Sequence, residues 1–401
     1  MKELLKAFKA EIAPTKEQQE KIIRSIGIAR FLYNQYIAYN KKLYRMYQRG
    51  LLDNHQKHFV SANDFDKYVN HKLKIELPWI NECGSKARKK ALVNAETAFK
   101  KFFNGLAGFP RFKKKSHQDV KLYFPKNTKG DWTIWRHKLT IPTLKQVRLK
   151  EFGYLPVGAV VISGTVSYVA SKFYVSLVVD IDEKSKYNKD LEASYHTATA
   201  GIGIDLGIKK LAIVSNGKTF NNINKSSKVK QLEKRLRREQ RCLSRKYESK
   251  KKGGKTATAS ANIEKQKLKV QKLHQRIKQI REDYENKVIH EIVKQKPRFI
   301  TVEDLNVKGM MKNKHLAKAV AAQRFNHLLV KLKRKAEIIG IEFRVVDIFY
   351  PSSKTCHCCG HINKGLNLKD RIYACPACGY KEDRDFNASL NLRDAKKYRV
   401  A

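Results

Sequence analysis

The stretch 201-GIGIDLGIKKLAIVSNG-217 places one acid, Asp205, in a short apolar run beside Gly201, Gly203 and Gly207. Side chains alternate along a strand, so Ile202, Ile204 and Leu206 share one face and the glycines share the other with Asp205. The carboxylate stands on a face stripped of neighbouring side chains. Glycine weakens a strand and marks close approach by a ligand or another backbone. Asn216-Gly217 has the form of a hairpin turn, with KKLAIVS as the returning strand. A lone strand acid ordinarily faces water at an edge, so Asp205 needs partners elsewhere in the chain.

The chain has 401 residues, 42% hydrophobic and 10% aromatic, enough for two or three domains with real cores. Lys and Arg total 85 against 37 Asp and Glu, a net charge of +48. Such a charge repels itself in a compact fold unless a polyanion neutralises it, and nucleic acid is the usual one. No apolar run approaches the roughly 20 residues of a membrane-spanning helix. The charged N-terminus has no signal-peptide pattern. A cytoplasmic protein, on the nucleoid when bound to DNA, is expected. Of seven cysteines, five lie between 356 and 378, which points to metal binding more than to disulfides.

The strand-like LLKAFKAEI precedes Thr15-Lys16-Glu17-Gln18, a capping box that opens a helix. Helical pattern runs from Ile22 to Tyr47 with Phe31, Leu32, Tyr36, Tyr39, Leu43, Tyr44 and Tyr47 as a stripe, and again from Lys86 to Phe103. GFPRFKKKSHQ, 108–118, breaks the pattern with Gly, Pro and basic residues; it suits either a phosphate-touching loop or a solvated one. Residues 119–182 are β-rich and read as a small barrel or sheet to which the N-terminal strand belongs, with the helical region inserted. A polar linker, EKSKYNKDLEASYHTATA, follows. Residues 229–288 form a helical hairpin with Val229, Leu232, Leu236 and Leu243 facing Ile263, Val270, Leu273, Ile277, Ile280 and Tyr284, and SKKKGGKTATASAN as its flexible tip. Its outer face, KRLRREQR, lacks acidic partners and is read as a phosphate contact.

The second acid is Glu303, near the end of the strand Phe299 to Val302; Asp304 beside it could cap the next turn. A helix is expected from Leu316 to Ile339, ending at Gly340. The third acid is Asp383 or Asp385, at the entry to a C-terminal helix, where one of the two could be a plain N-cap. Three carboxylates meeting on a sheet can hold two Mg²⁺ ions about 4 Å apart, which activate water and stabilise the leaving oxygen in phosphodiester cleavage. On this reading the glycines leave room for the metals and a nucleic-acid strand. Cys356-x-x-Cys359 and Cys375-x-x-Cys378, each followed by glycine, have the spacing of a four-cysteine zinc ribbon, structural because four thiolates leave no open position. Cys358 could compete with Cys359, but the Cys-Gly knuckle shared with Cys378-Gly379 favours Cys359.

Together, KAFKAEIAPTKEQQE, RFLYN, GFPRFKKK, GIDLGIKKLA, LEKRLRREQRCLSRK, VEDLNVKGM, the paired CxxCG and DRDFNASLNL resemble the TnpB family of transposon-encoded RNA-guided DNA endonucleases, over essentially the whole chain. The resemblance implies a RuvC-like (RNase H-like) α/β nuclease with catalytic Asp205, Glu303 and Asp385, the second acid of DRDxNA being the catalytic one. It implies a β-barrel wedge domain (1–14 and 119–190) interrupted by a helical recognition domain (15–118). The nuclease (200–350 and 381–401) would carry the hairpin and a zinc ribbon (351–380). A guide RNA from the transposon end and double-stranded target DNA beside a short adjacent motif are the implied partners; no oligomeric state is implied. A compact type V CRISPR effector is the nearest alternative, and a non-cleaving RNA-guided repressor would have lost an acid. A DDE transposase would end in Glu, and an HUH transposase needs a His-hydrophobic-His triplet that is absent.

Overall fold

The computed structural model describes residues 5–51, 58–114, 121–126, 128, 130–180, 200–252, 257–367 and 370–400. The chain divides into two compact units, Met1–Ser185 and Lys186–Ala401. The linker expected at 183–200 lies, but for its last residue, outside the described residues.

In the first unit, β1 (Leu5–Ala13) leads into α1 (Lys16–Gln48) through Thr15, whose side chain accepts from the Gln18 backbone while the Gln18 side chain accepts from the Thr15 N–H. That reciprocal cap is the one the sequence predicts. The stripe on α1 splits. Leu32 and Tyr36 are fully buried, whereas Tyr39 and Tyr47 face solvent. α2 (Ala62–Tyr68) and α3 (Ser85–Phe103) complete the helical layer, and Gly105 takes a positive φ just past α3.

Strands β2 (Lys121–Pro125), β3 (Lys138–Ile141), β4 (Lys145–Leu149), β5 (Val160–Val169) and β6 (Lys172–Asp180) join β1 in one antiparallel sheet, ordered β2-β5-β6-β1-β4-β3. The N-terminal strand sits inside it, its residues Leu5 to Ile12 paired with Asp180 to Phe173. No pairing of β2 with β3 closes a barrel among the described residues.

The second unit is built on a mixed sheet. Its strands are β7 (Ile202–Leu206), β8 (Lys210–Val214), β9 (Thr219–Asn221), β10 (Phe299–Glu303), β11 (Glu342–Val346) and, after the short pair β12 (Ile372–Ala374) and β13 (Lys381–Asp383), β14 (Arg399–Val400). The order is β14-β11-β10-β7-β8-β9, with β7, β10 and β11 parallel and the rest antiparallel. Asn216-Gly217, with Gly217 at φ +87°, joins β8 to β9; the β7–β8 connection is Gly207 to Lys209. The turn expected for the first hairpin therefore closes a second one.

Helices α4 (Ser227–Lys252) and α5 (Ala257–Val293) form the hairpin, and Val229, Leu236, Val270, Leu273 and Ile277 bury its seam. The helices extend into the expected tip, leaving 253–256 outside the described residues. Tyr284 leaves the seam and donates its hydroxyl to the Asn221 carbonyl, while Val288, Ile289, Ile292 and Val293 join the sheet's core.

After α6 (Val307–Lys312), the expected 316–339 helix is two: α7 (Ala317–Gln323) and α8 (Phe325–Ile338), broken at Arg324 in the left-handed region. No Gly or Pro announces that break. It is held because Gln323 donates to the Gly207 and Ile208 carbonyls, and Arg324 pairs with Glu282 and Glu285 on α5. The C-terminal helix is α9 (Arg384–Arg393).

Candidate active site and metal knuckles

Asp205 lies in β7 opposite Ile213 of β8, and Glu303 ends the parallel neighbour β10. Strand parity puts Gly203 and Asp205 on one face, and that face receives α9. A Cβ on Gly203 would lie 2.1 Å from the Ser389 carbonyl oxygen and 2.3 Å from the Arg393 nitrogen. A Cβ on Gly201 would strike the Phe299 ring at 2.0 Å. These two glycines therefore do not leave open room for metals and a nucleic-acid strand. They admit the protein's own helix and ring, and Gly203 lets α9 approach the strand that carries Asp205.

The start of α9 separates its two acids. Asp383 is the N-cap: one carboxylate oxygen accepts from the Asp385 and Phe386 backbone N–H groups, each at 3.0 Å. Asp385, in the first turn, has its carboxylate 3.5 Å from the Arg384 guanidinium. Asp304 turns outward to Arg399 at 2.6 Å, and the next helix, α6, is capped by Asn306 instead.

Burial first, and then the negative charges of Asp385 and Glu303, push the half-buried Asp205 up to about 7; the Arg384 guanidinium offsets part of this. Burial pushes Glu303 up to about 7 as well. The structure thus brings the charges of Glu303 and Asp385 within reach of Asp205, at the C-terminal ends of two parallel strands and the start of a helix. An all-oxygen donor set carrying surplus negative charge in a desolvated place suits a divalent cation such as Mg²⁺. The three carboxylates are not a tight cluster: among the described residues, the four cysteines alone have ligand atoms all within 4.8 Å of one another.

Those cysteines are Cys356, Cys359, Cys375 and Cys378. Their sulfurs stand 3.6 Å apart for Cys356 and Cys378 and for Cys359 and Cys375. Tetrahedral thiolates about 2.3 Å from zinc would be about 3.8 Å apart, so the set fits that ion. Each knuckle has the same backbone pattern. The Cys356 N–H donates to the His361 carbonyl and the Cys356 carbonyl accepts from Gly360; Cys375 does the same with Tyr380 and Gly379. Gly360 and Gly379 sit at φ +76° and +75°, which is why glycine follows each pair. Cys358 occupies the place that Ala377 takes in the second knuckle and stays outside the cluster, as the knuckle symmetry predicts.

Two basic surfaces complete the inventory. On α4, Arg237, Arg241 and Arg245 recur every four residues and are exposed. In the first unit a cleft is lined by Arg30, Tyr33, Lys90, Asn94, Lys113 and Tyr123. Asn34 holds the Lys113 backbone by accepting from its N–H and donating to its carbonyl, and the Lys113 ammonium sits 4.3 Å from the Tyr33 ring. Lys113 belongs to the GFPRFKKK loop; positions 115–118 of the expected loop lie outside the described residues. Gln323, which bonds the loop after Asp205, escaped sequence reading because a single Gln in a helical run carries no signal.

A mixed sheet joining acids at two strand ends and a helix entry, beside a four-thiolate knuckle pair, defines the class. Family models match residues 177–314 (OrfB_IS605, "Probable transposase"), 325–392 ("Cas12f1-like, TNB domain") and 1–49 (a "Helix-turn-helix domain" of the same OrfB_IS605 group). The described residues of the last of these form one strand and one helix, β1 and α1. A Streptomyces pristinaespiralis protein named "Putative RNA-guided DNA endonuclease" is 30% identical over 395 residues, 98% of this chain and 89% of that protein. Escherichia coli K12 has a relative of the same name, InsQ, 29% identical over 97% of this chain and 91% of its own. The chain belongs to the TnpB family of OrfB_IS605 proteins. A solved Cas12f1-sgRNA-target DNA complex aligns over 98% of this chain and 100% of its own at 17% identity and a TM-score of 0.36. Among the described residues, no helix is long and apolar enough to cross a membrane.

Proposed function

We propose that this protein is an RNA-guided DNA endonuclease that hydrolyses phosphodiester bonds at Asp205, Glu303 and Asp385. The observation that carries the reading is the arrangement of those acids: Asp205 and Glu303 near the ends of the neighbouring parallel strands β7 and β10, and Asp385 in the first turn of α9, the helix that packs on β7 at Gly203. The names of full-length relatives supply the substrate class. On this reading the second unit is a RuvC-type, RNase H-like domain (200–350 and 381–401). It carries the basic hairpin and a zinc ribbon (351–380). The first unit is a wedge sheet (1–14 and 119–190) with an inserted recognition domain (15–118). The guide RNA comes from the transposon end, and the protein itself reads only a short motif beside the target.

Asp205, Glu303 and Asp385 would hold divalent cations, two Mg²⁺ by the carboxylate count. Ions held there would supply the activation of a water and the stabilisation of the leaving oxygen. The chain's own part is to hold Asp205 and Glu303 where burial resists their negative charge, so that an arriving cation is favoured there, with Asp385 beside them on α9. Arg384 shares in balancing Asp385, and Asp383 stays committed to the cap. The cysteines would hold Zn²⁺ as a fold element, contributing on the order of 10 kcal/mol to a segment with little core of its own.

The test is Asp205→Ala in the complex with its copurified RNA. Cleavage should be abolished, with RNA and target binding near wild type. Loss of binding along with cleavage would make Asp205 a structural residue. Sequencing the RNA that copurifies from native flanking DNA should give a discrete transcript ending in varied sequence beyond the element.

A further inference from the structure

The motif DRDFNASLNL carries two asparagines that the proposed chemistry leaves unused. Asn387 and Asn391 are one helical turn apart on α9, the first fully buried and the second nearly so. Buried amides must find partners, and these find the backbone around a metal-ligating cysteine. The Asn387 oxygen accepts from the His357 N–H at 3.1 Å, and its nitrogen donates to the Thr355 carbonyl at 2.8 Å. Asn387 thereby grips the residue on either side of Cys356. Asn391 donates to the Ser352 carbonyl at 2.8 Å and to the Thr355 carbonyl at 2.7 Å.

The opposite side of the same helix is fixed too. The Ser389 carbonyl and Arg393 nitrogen abut Gly203, two residues before Asp205 on β7. α9 is therefore clamped between the first cysteine knuckle and the strand of one acid, while it carries another acid, Asp385, two residues before Asn387. Cys356 is itself pinned, by its sulfur in the four-thiolate set and by its N–H and carbonyl within the knuckle.

We propose that Asn387, seconded by Asn391, is a positioning residue: it transmits the geometry of the four-cysteine knuckle to α9 and so sets where Asp385 stands relative to Asp205. The inference rests on the acid site proposed above. Its chemistry is that of an outer-shell partner, whose loss leaves the ligands in place but misaims one of them. The four-thiolate metal then matters at the acid site although it takes no part in the reaction.

The experiment is manganese titration of the full chain, read by electron paramagnetic resonance, with cobalt in the thiolate site read by its visible spectrum. In Asn387→Ala, manganese binding should weaken about tenfold or more while the cobalt-thiolate spectrum is retained. kcat should fall by at least as much with KM for target unchanged. Asn391→Ala should move the same way by less, and it decides the matter if Asn387→Ala does not fold. Wild-type manganese affinity in the variant that folds overturns the proposal. Loss of the cobalt spectrum does so as well, because the asparagine would then build the knuckle rather than transmit its position. Asp205→Ala is the reference: if it leaves manganese binding unchanged, the acid site itself fails, and that result is distinct from a failure of the asparagine link.

Discussion

Asp205 and Glu303, each pushed up to about 7 from ordinary carboxylate values, make the metal-free protein sensitive to pH in a direction opposite to most acids. Between about pH 4 and 7 the folded state binds protons that the unfolded state has released, so stability falls as pH rises through that window. At pH 8 without divalent metal, both acids are charged and desolvated. Asp205→Asn should then raise the melting temperature by about 4–8 °C, roughly 2 kcal/mol for a unit of this size, and the gain should shrink by pH 5. Equal melting of variant and wild type at both pH values would mean that the carboxylate is not desolvated. The same protons compete with metal, so the Mg²⁺ concentration for half-maximal cleavage should fall between pH 6 and pH 8. Gly203 is the residue-scale counterpart on the packing side. Gly203→Ala would force α9 off β7 at a cost on the order of 1–3 kcal/mol, and melting and cleavage should fall together.

Elements whose determinants are local were legible in the sequence. The Thr15 to Gln18 cap predicts the start of α1, the three-four spacing of Val229, Leu232 and Leu236 predicts the hairpin seam, and CxxCG predicts each knuckle. What the sequence hid depends on contacts far along the chain. Gly203 reads as part of a ligand space because nothing near it in the sequence says that Ser389 and Arg393 will pack there. The break at Arg324 sits in a run with good helix propensity and is held by bonds to Gly207, Ile208, Glu282 and Glu285. Between Asp383 and Asp385, spacing alone was undecided, and the capping bonds separate them. The knuckles carry a prediction at this scale. Gly360→Ala and Gly379→Ala each force a side chain into left-handed backbone at roughly 1–2 kcal/mol, so each variant should surrender cobalt to a chelator faster than wild type. Unchanged release would show that the turn does not shape the thiolate set.

For the whole molecule, the charge of +48 is the dominant fact, and its use can be measured rather than inferred. Basic residues that neutralise phosphates release condensed counterions, so log K for nucleic-acid binding falls linearly with log salt, by about 0.9 per phosphate on duplex DNA. Exposed charges that merely keep a protein soluble leave no such slope. On α4, Arg237, Arg241 and Arg245 form one exposed row, and of the nearby acids Glu239 is engaged by Gln266 and Glu233 by Arg281. If each arginine meets one phosphate, the triple change to Gln should make the salt slope shallower by about 2.7. Cleavage at saturating protein should stay near wild type, because the row adds no group to the three-acid site. A slope identical to wild type would return the hairpin's outer face to the status of a solvated surface. The phosphate contacts would then have to be sought elsewhere, beginning with the Arg30, Lys90 and Lys113 cleft of the first unit.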